Sequence, residues 1–150
     1  MKLILWKYQC KDCYSWFKSL ELSGNYGAFL LRSLSNEFRF LDAISDSAFK
    51  EVSTFVKRHC NLDESKCGKL VKSIFTITCD PDFKGHMFYI NLPPQCPHCH
   101  SRSIAHDCCP EPLEFIELAI PDVSHQKWNG LSEVDKEARL SEALEQELSK

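Results

Sequence analysis

Seven residues, QCPHCHS from Gln95 to Ser101, hold two thiols and two imidazoles, and His106, Cys108 and Cys109 follow closely. Thiolates and imidazoles are the side chains that bind zinc and related borderline-soft metals. In a C-x-x-C pair a tight turn brings both sulfurs to one side, so that they address a single ion. One pair fills half of a tetrahedral shell, and a closed site needs two more ligands. YQCKDC, Tyr8 to Cys13, supplies them: Cys10 and Cys13 repeat the spacing of Cys96 and Cys99, with 82 residues between the pairs. Four thiolates at about 2.3 Å suit a structural Zn²⁺, and the ligand set does not separate zinc from iron. A local set of Cys96, Cys99, His106 and Cys108 or Cys109 has the same chemistry but leaves the first pair redundant. Redox work by one pair is disfavoured, because neither opens a helix that would lower a thiol pKa. His98 and His100 are read as surface residues, Cys108 and Cys109 as an edge or core feature, and Cys60, Cys67 and Cys79 as small buried hydrophobes.

The elements that would position these sulfurs are legible in outline. Residues 3–9 read as a strand leading into Cys10, and Phe17 and Leu20 continue an apolar pattern beyond Cys13, giving strand, knuckle, strand. The segment AFLLRSLSNEFRFLDAI, residues 28–44, reads as a hairpin about Ser35 and Asn36. Asp46 or Ser45 caps a helix to about His59, with Phe49, Val52, Phe55 and Val56 on one face. Asp63 and Glu64 open a second helix through Ile74, weakened at Gly68 by about 1 kcal/mol relative to alanine. Thr76–Cys79 and His86–Asn91 read as strands around a turn, and Leu113–Ile120 as another ended by Pro121. Ser132 with Asp135 opens a terminal amphipathic helix whose Leu140, Leu144 and Leu148 form the docking stripe. No internal repeat is read along the chain.

YQCKDC with Phe17, and CPHCHS with Ile104, resemble the zinc-ribbon or rubredoxin-like knuckle family over about twenty residues of the chain. The resemblance implies a zinc ribbon of two C-x-x-C knuckles; with the elements read above, the expectation is an α+β protein with a long α/β insertion between the knuckles and a C-terminal amphipathic helix. The expected arrangement is a single domain over 1–150, with the ribbon at 3–20 and 88–107, the insertion at 24–87, and a terminal strand and helix at 112–149. The implied metal ligands are Cys10, Cys13, Cys96 and Cys99. In that family a glycine commonly follows the second cysteine of each pair, where φ is positive. Tyr14 and His100 stand there instead, a conformation that non-glycine residues adopt at a cost.

Four thiolates leave a metal no open position, whereas a catalytic zinc keeps one. No H-E-x-x-H, G-x-S-x-G or glycine-rich phosphate loop occurs, and Pro94-Gln95-Cys96 lacks the H-x-E partner of a zinc deaminase. The expectation is therefore a protein that is not an enzyme; an enzymatic site, if built, would draw on His59, His86 or Asp80. Leu3–Trp6 is too short for a signal peptide's hydrophobic centre, and no apolar run of membrane-spanning length occurs, which points to a cytoplasmic protein with no membrane partner. The formal net charge is −3; residues 131–150 hold six acids and three bases, leaving fifteen of each before them. A neutral body with an acidic terminal helix suits a folded, basic protein partner, as for an adaptor or an inhibitor such as a bacterial toxin's immunity protein. The alternative is a nucleic-acid-binding regulator using Lys7, Lys11, Tyr14, Trp16, Lys18 and Arg102 near the knuckles. Against it, Trp6, Trp16 and Tyr14 are expected to pack the ribbon on its insertion.

Overall fold

The computed structural model describes residues 1–24 and 26–150. In chain order the elements are β1 (Lys2–Cys10), β2 (Trp16–Leu22), β3 (Ala28–Ser33), β4 (Phe38–Asp42), α1 (Ser47–His59), α2 (Glu64–Phe75), β5 (Phe88–Tyr89), β6 (Ile104–Cys108), β7 (Phe115–Glu117), α3 (Gln126–Asn129) and α4 (Glu133–Leu148). The protein is thus mixed α+β, with antiparallel strand pairs and a C-terminal helix.

β1 is the centre of the first sheet. Along one side it pairs with β2 from Leu3↔Leu22 to Gln9↔Trp16. Its other side is shared: β6 takes the Cys10 end, from Lys7↔Cys108 to Cys10↔Ile104, and β7 takes the start, from Lys2↔Glu117 to Ile4↔Phe115. The second sheet runs β4-β3-β5. Phe88 and Tyr89, grouped with the ribbon by sequence, pair instead with Ser33 and Arg32 of β3. This pairing links residues 55 positions apart, and no periodicity announces such a partner.

Two hydrophobic clusters follow from this layout. The larger joins Leu31 and Leu41 of the second sheet to Val52, Phe55 and Val56 of α1, Val71, Ile74 and Phe75 of α2, and Leu140 and Leu144 of α4. α1 and α2 start where the caps predict: the Asp46 carboxylate accepts from Phe49 N–H and that of Asp63 from Lys66 N–H, each at 2.8 Å. The smaller cluster holds only Tyr8, Cys10, Phe17 and Cys96 as buried residues, with Trp6, Cys13 and Ile104 against it. Arg32 ties the sheets together. Buried at 7 % exposure, it donates to the Leu20 carbonyl at 3.3 Å, the Glu21 carboxylate at 3.1 Å and the Leu92 carbonyl at 2.5 Å.

Three expected elements differ. Thr76–Thr78 is a 3₁₀ turn continuing α2, not a strand: Thr78 Oγ1 donates to the Phe75 carbonyl at 2.8 Å, and Cys79 N–H to that of Thr76. Local bonds of this kind satisfy the backbone without a neighbouring strand. The strand expected over 113–120 is only Phe115–Glu117. Leu148 is 53 % exposed, so the α4 stripe stops at Leu144. At its other end Lys136 completes it, with Nζ 5.6 Å from the Trp128 ring centroid and 3.3 Å from Glu51; the long stem packs while the charge reaches a partner. Trp128, 2 % exposed, sits on the four-residue α3, too short to show a periodicity.

Candidate metal centre

The two C-x-x-C turns have the same construction. Cys10 ends β1; its N–H donates to the Ser15 carbonyl at 2.9 Å and its carbonyl accepts from Tyr14 N–H at 3.1 Å. In the second turn Cys96 N–H donates to the Ser101 carbonyl at 2.8 Å and His100 N–H to that of Cys96 at 2.9 Å. Side chains repeat the pattern: Gln9 Nε2 donates to the Tyr14 carbonyl at 3.2 Å, and Gln95 Nε2 to that of His100 at 3.0 Å. These equivalences overturn the reading that the chain lacks a repeat. QCKDCYS and QCPHCHS share Gln, both Cys and Ser at identical offsets, a signal visible once the heptapeptides are aligned.

Tyr14 and His100 have φ of 62° and 65°. Both turns therefore carry left-handed backbone at side chains that disfavour it. Replacing both by glycine relieves that strain, and since left-handed backbone costs a non-glycine residue about 1–2 kcal/mol while glycine is more ordered on folding, the double variant should gain about 1 kcal/mol in chemical denaturation of the metal-loaded protein.

The geometry brings the four sequence-predicted sulfurs together. Cys10 and Cys99 Sγ are 3.5 Å apart, Cys13 and Cys96 Sγ 3.6 Å, and all four lie within 4.8 Å of one another. Ligands at about 2.3 Å from a central ion stand about 3.8 Å apart along a tetrahedron's edges, whereas a disulfide needs about 2.05 Å. The spacing fits four thiolates around one ion, so the group could hold a metal and is compatible with a zinc ribbon. Cys10 and Cys96 are wholly buried; Cys13 is half-buried and Cys99 exposed. Hydrogen bonds from the Ser15 hydroxyl and backbone N–H hold the Cys13 thiol down at about 6. At Cys99 the Ser101 N–H lowers the pKa, but the hydrogen bond with Cys10, burial, and contacts with Cys13 and Cys96 outweigh it and push the thiol up to about 12. One thiolate thus opposes the next at such distances, and a bound dication reverses that opposition.

None of His98, His100, His106, Cys108 and Cys109 joins this group, the one metal-capable cluster among the described residues. Contacts lock the centre to the insertion: Asn36 Nδ2, on the β3–β4 turn, donates to Gln95 Oε1 at 2.8 Å. Arg102 donates to the carbonyls of Pro93 at 2.8 Å and Leu34 at 3.1 Å and to Asn36 Oδ1 at 3.0 Å. Its guanidinium is a clamp on the turn. Tyr14 and Trp16 correct a second expectation, being 71 % and 43 % exposed instead of packed against the insertion. Trp16 sits on an open sheet face beneath Lys7, whose Nζ is 4.9 Å from the ring.

The residues considered for an enzymatic site have separate partners. His59 Nδ1 bonds the Phe55 carbonyl at 2.9 Å, and His86 Nδ1 the Ser35 hydroxyl. Asp80 accepts from the N–H groups of Gln126 and Lys127 at 2.9 and 3.1 Å, organising α3. Sequence reasoning missed His125: Nδ1 faces the Thr78 carbonyl at 2.7 Å and Nε2 the Asp46 carboxylate at 2.8 Å. Both partners are acceptors, an arrangement that both ring nitrogens satisfy together when the imidazole is protonated, and it raises the His125 pKa above 6.5. No helix of the described residues is long and apolar enough to cross a membrane. Comparison with protein-family models, with curated proteins and with solved structures finds no match for this chain.

Proposed function

We propose that this chain is a zinc-ribbon protein whose four-cysteine centre holds a structural Zn²⁺ and which acts, without catalysis, by binding another protein as an adaptor or inhibitor. The observation that carries the reading is the strip around β7. Leu113, Phe115, Ile116 and Leu118 are 36–51 % exposed, and β7 pairs only with β1 among the described residues. Successive residues of a strand point to opposite faces, so apolar side chains meet water on both faces beside an open edge. Soluble proteins cover or charge such edges. An extended segment of a partner would add its own strand and bury these side chains.

Cations near the ribbon are mostly engaged. Lys18 pairs with Glu114, Lys2 lies over Phe115, and Arg102 is held by three oxygens; this favours a protein partner over phosphates. Leu113→Ser with Phe115→Ser removes two exposed side chains and should leave stability within about 1 kcal/mol. The same double variant should weaken a copurifying partner about 10- to 30-fold. Unchanged retention of that partner would refute the docking strip. The exposed pair Tyr14 and Trp16 favours the nucleic-acid reading as the second. It predicts salt-sensitive binding of single-stranded RNA that Trp16→Ala weakens while the strip variant does not.

A further inference from the structure

A groove of about 530 Å³ runs between α1 and α2 and shares no residue with the metal centre or the 113–118 strip. Its walls are apolar, from Phe49, Leu62, Cys67 and Val71. Gly68 borders it on the middle of α2, and a Cβ added there meets nothing within 4 Å. Glycine weakens a helix interior, and neither a positive φ nor a close neighbour requires it here. The absent side chain leaves the groove open.

Two cationic residues belong to the lining. Lys57 and Lys72 have no carboxylate within ion-pair distance among the described residues, and Lys72 Nζ rests 5.1 Å from the Phe29 ring. Glu64 is the one acid of the lining. An apolar trough of this volume with a few polar groups has the make-up of a small-molecule site, and two cations against one acid in its lining suit an anion. We propose that the groove binds a medium-chain carboxylate, with the alkyl chain along Phe49, Leu62 and Val71 and the carboxylate between Lys57 and Lys72.

The test titrates dodecanoate, below its micelle-forming concentration, and dodecanol into the full metal-loaded chain, following backbone amide shifts. Dodecanoate is expected to bind more tightly than dodecanol and to shift Gly68, Val71 and Lys57. Lys57→Glu with Lys72→Glu should weaken dodecanoate about ten-fold and leave dodecanol unchanged. Gly68→Leu should abolish binding of both while raising the melting temperature, which shows that the loss is not unfolding. The proposal is overturned if dodecanoate fails to bind, if dodecanol binds equally well, or if Gly68→Leu leaves the affinity unaltered.

Discussion

Cys10→Ser is expected to lose the metal and unfold the ribbon while the helical core survives. The reasoning starts from the size of the two clusters. Fifteen buried residues surround α1, α2 and α4, but only four buried residues form the cluster at the sulfurs, and two of those are Cys10 and Cys96. A core that small does not hold a sheet by itself, and such units depend on a metal or another staple. Bringing the pairs together across 82 residues costs about 4 kcal/mol of loop-closure entropy. Structural zinc contributes about 10–16 kcal/mol of apparent binding free energy, ample to offset it. Helical circular dichroism should persist in the variant, whereas amides of β1, β2 and β6 lose their protection from hydrogen exchange. Cys108→Ser with Cys109→Ser should change neither metal content nor protection. The opposite pattern, a tolerant Cys10 and a sensitive Cys108–Cys109 pair, would move the site to the local ligand set.

His125→Gln is expected to destabilise the protein by about 2–3 kcal/mol near pH 6, because it strips the partner from a largely buried carboxylate. In the native protein burial by itself raises the Asp46 pKa, but the hydrogen bonds from His125 and Phe49 N–H and the imidazolium charge outweigh it and hold the carboxyl below 3.8. Burial alone lowers His125, while hydrogen bonds to Asp46 and the Thr78 carbonyl, with the charges of Asp46 and Asp80, raise it above 6.5. The raised histidine contributes stability that is complete below pH 6.5 and lost as pH rises through its folded pKa. The depressed aspartate contributes stability that is complete above pH 3.8 and lost as pH falls through its folded pKa. The pair therefore stabilises most between about pH 4 and 6.5. Urea unfolding across pH should show the wild-type advantage over His125→Gln shrinking on the alkaline side. An advantage that is flat through pH 6–9 would show that the ring is neutral.

What was legible in the chain is what short-range chemistry writes there. The caps at Asp46, Asp63 and Ser132 placed three helix starts, because a side-chain oxygen three residues ahead of an N–H is a local matter. The C-x-x-C spacing placed the four sulfurs for the same reason. What was illegible depends on partners distant in sequence. Nothing local marks the roles of Arg32 and Arg102, since each is spent on oxygens 10 or more residues away, save Arg102's bond to Pro93. Trp128 and β5 depend on α1, α4 and β3, which no local pattern names. The outward placement of Tyr14 follows from the positive φ of its own backbone, and that of Trp16 from its register opposite Gln9.

X-ray absorption at the metal edge of protein purified without added metal tests the central claim most directly, since edge energy identifies the element and fine structure counts its ligands. The account predicts one zinc per chain with four sulfur neighbours at about 2.3 Å. A shell containing nitrogen or oxygen, or a folded and metal-free chain, would contradict it.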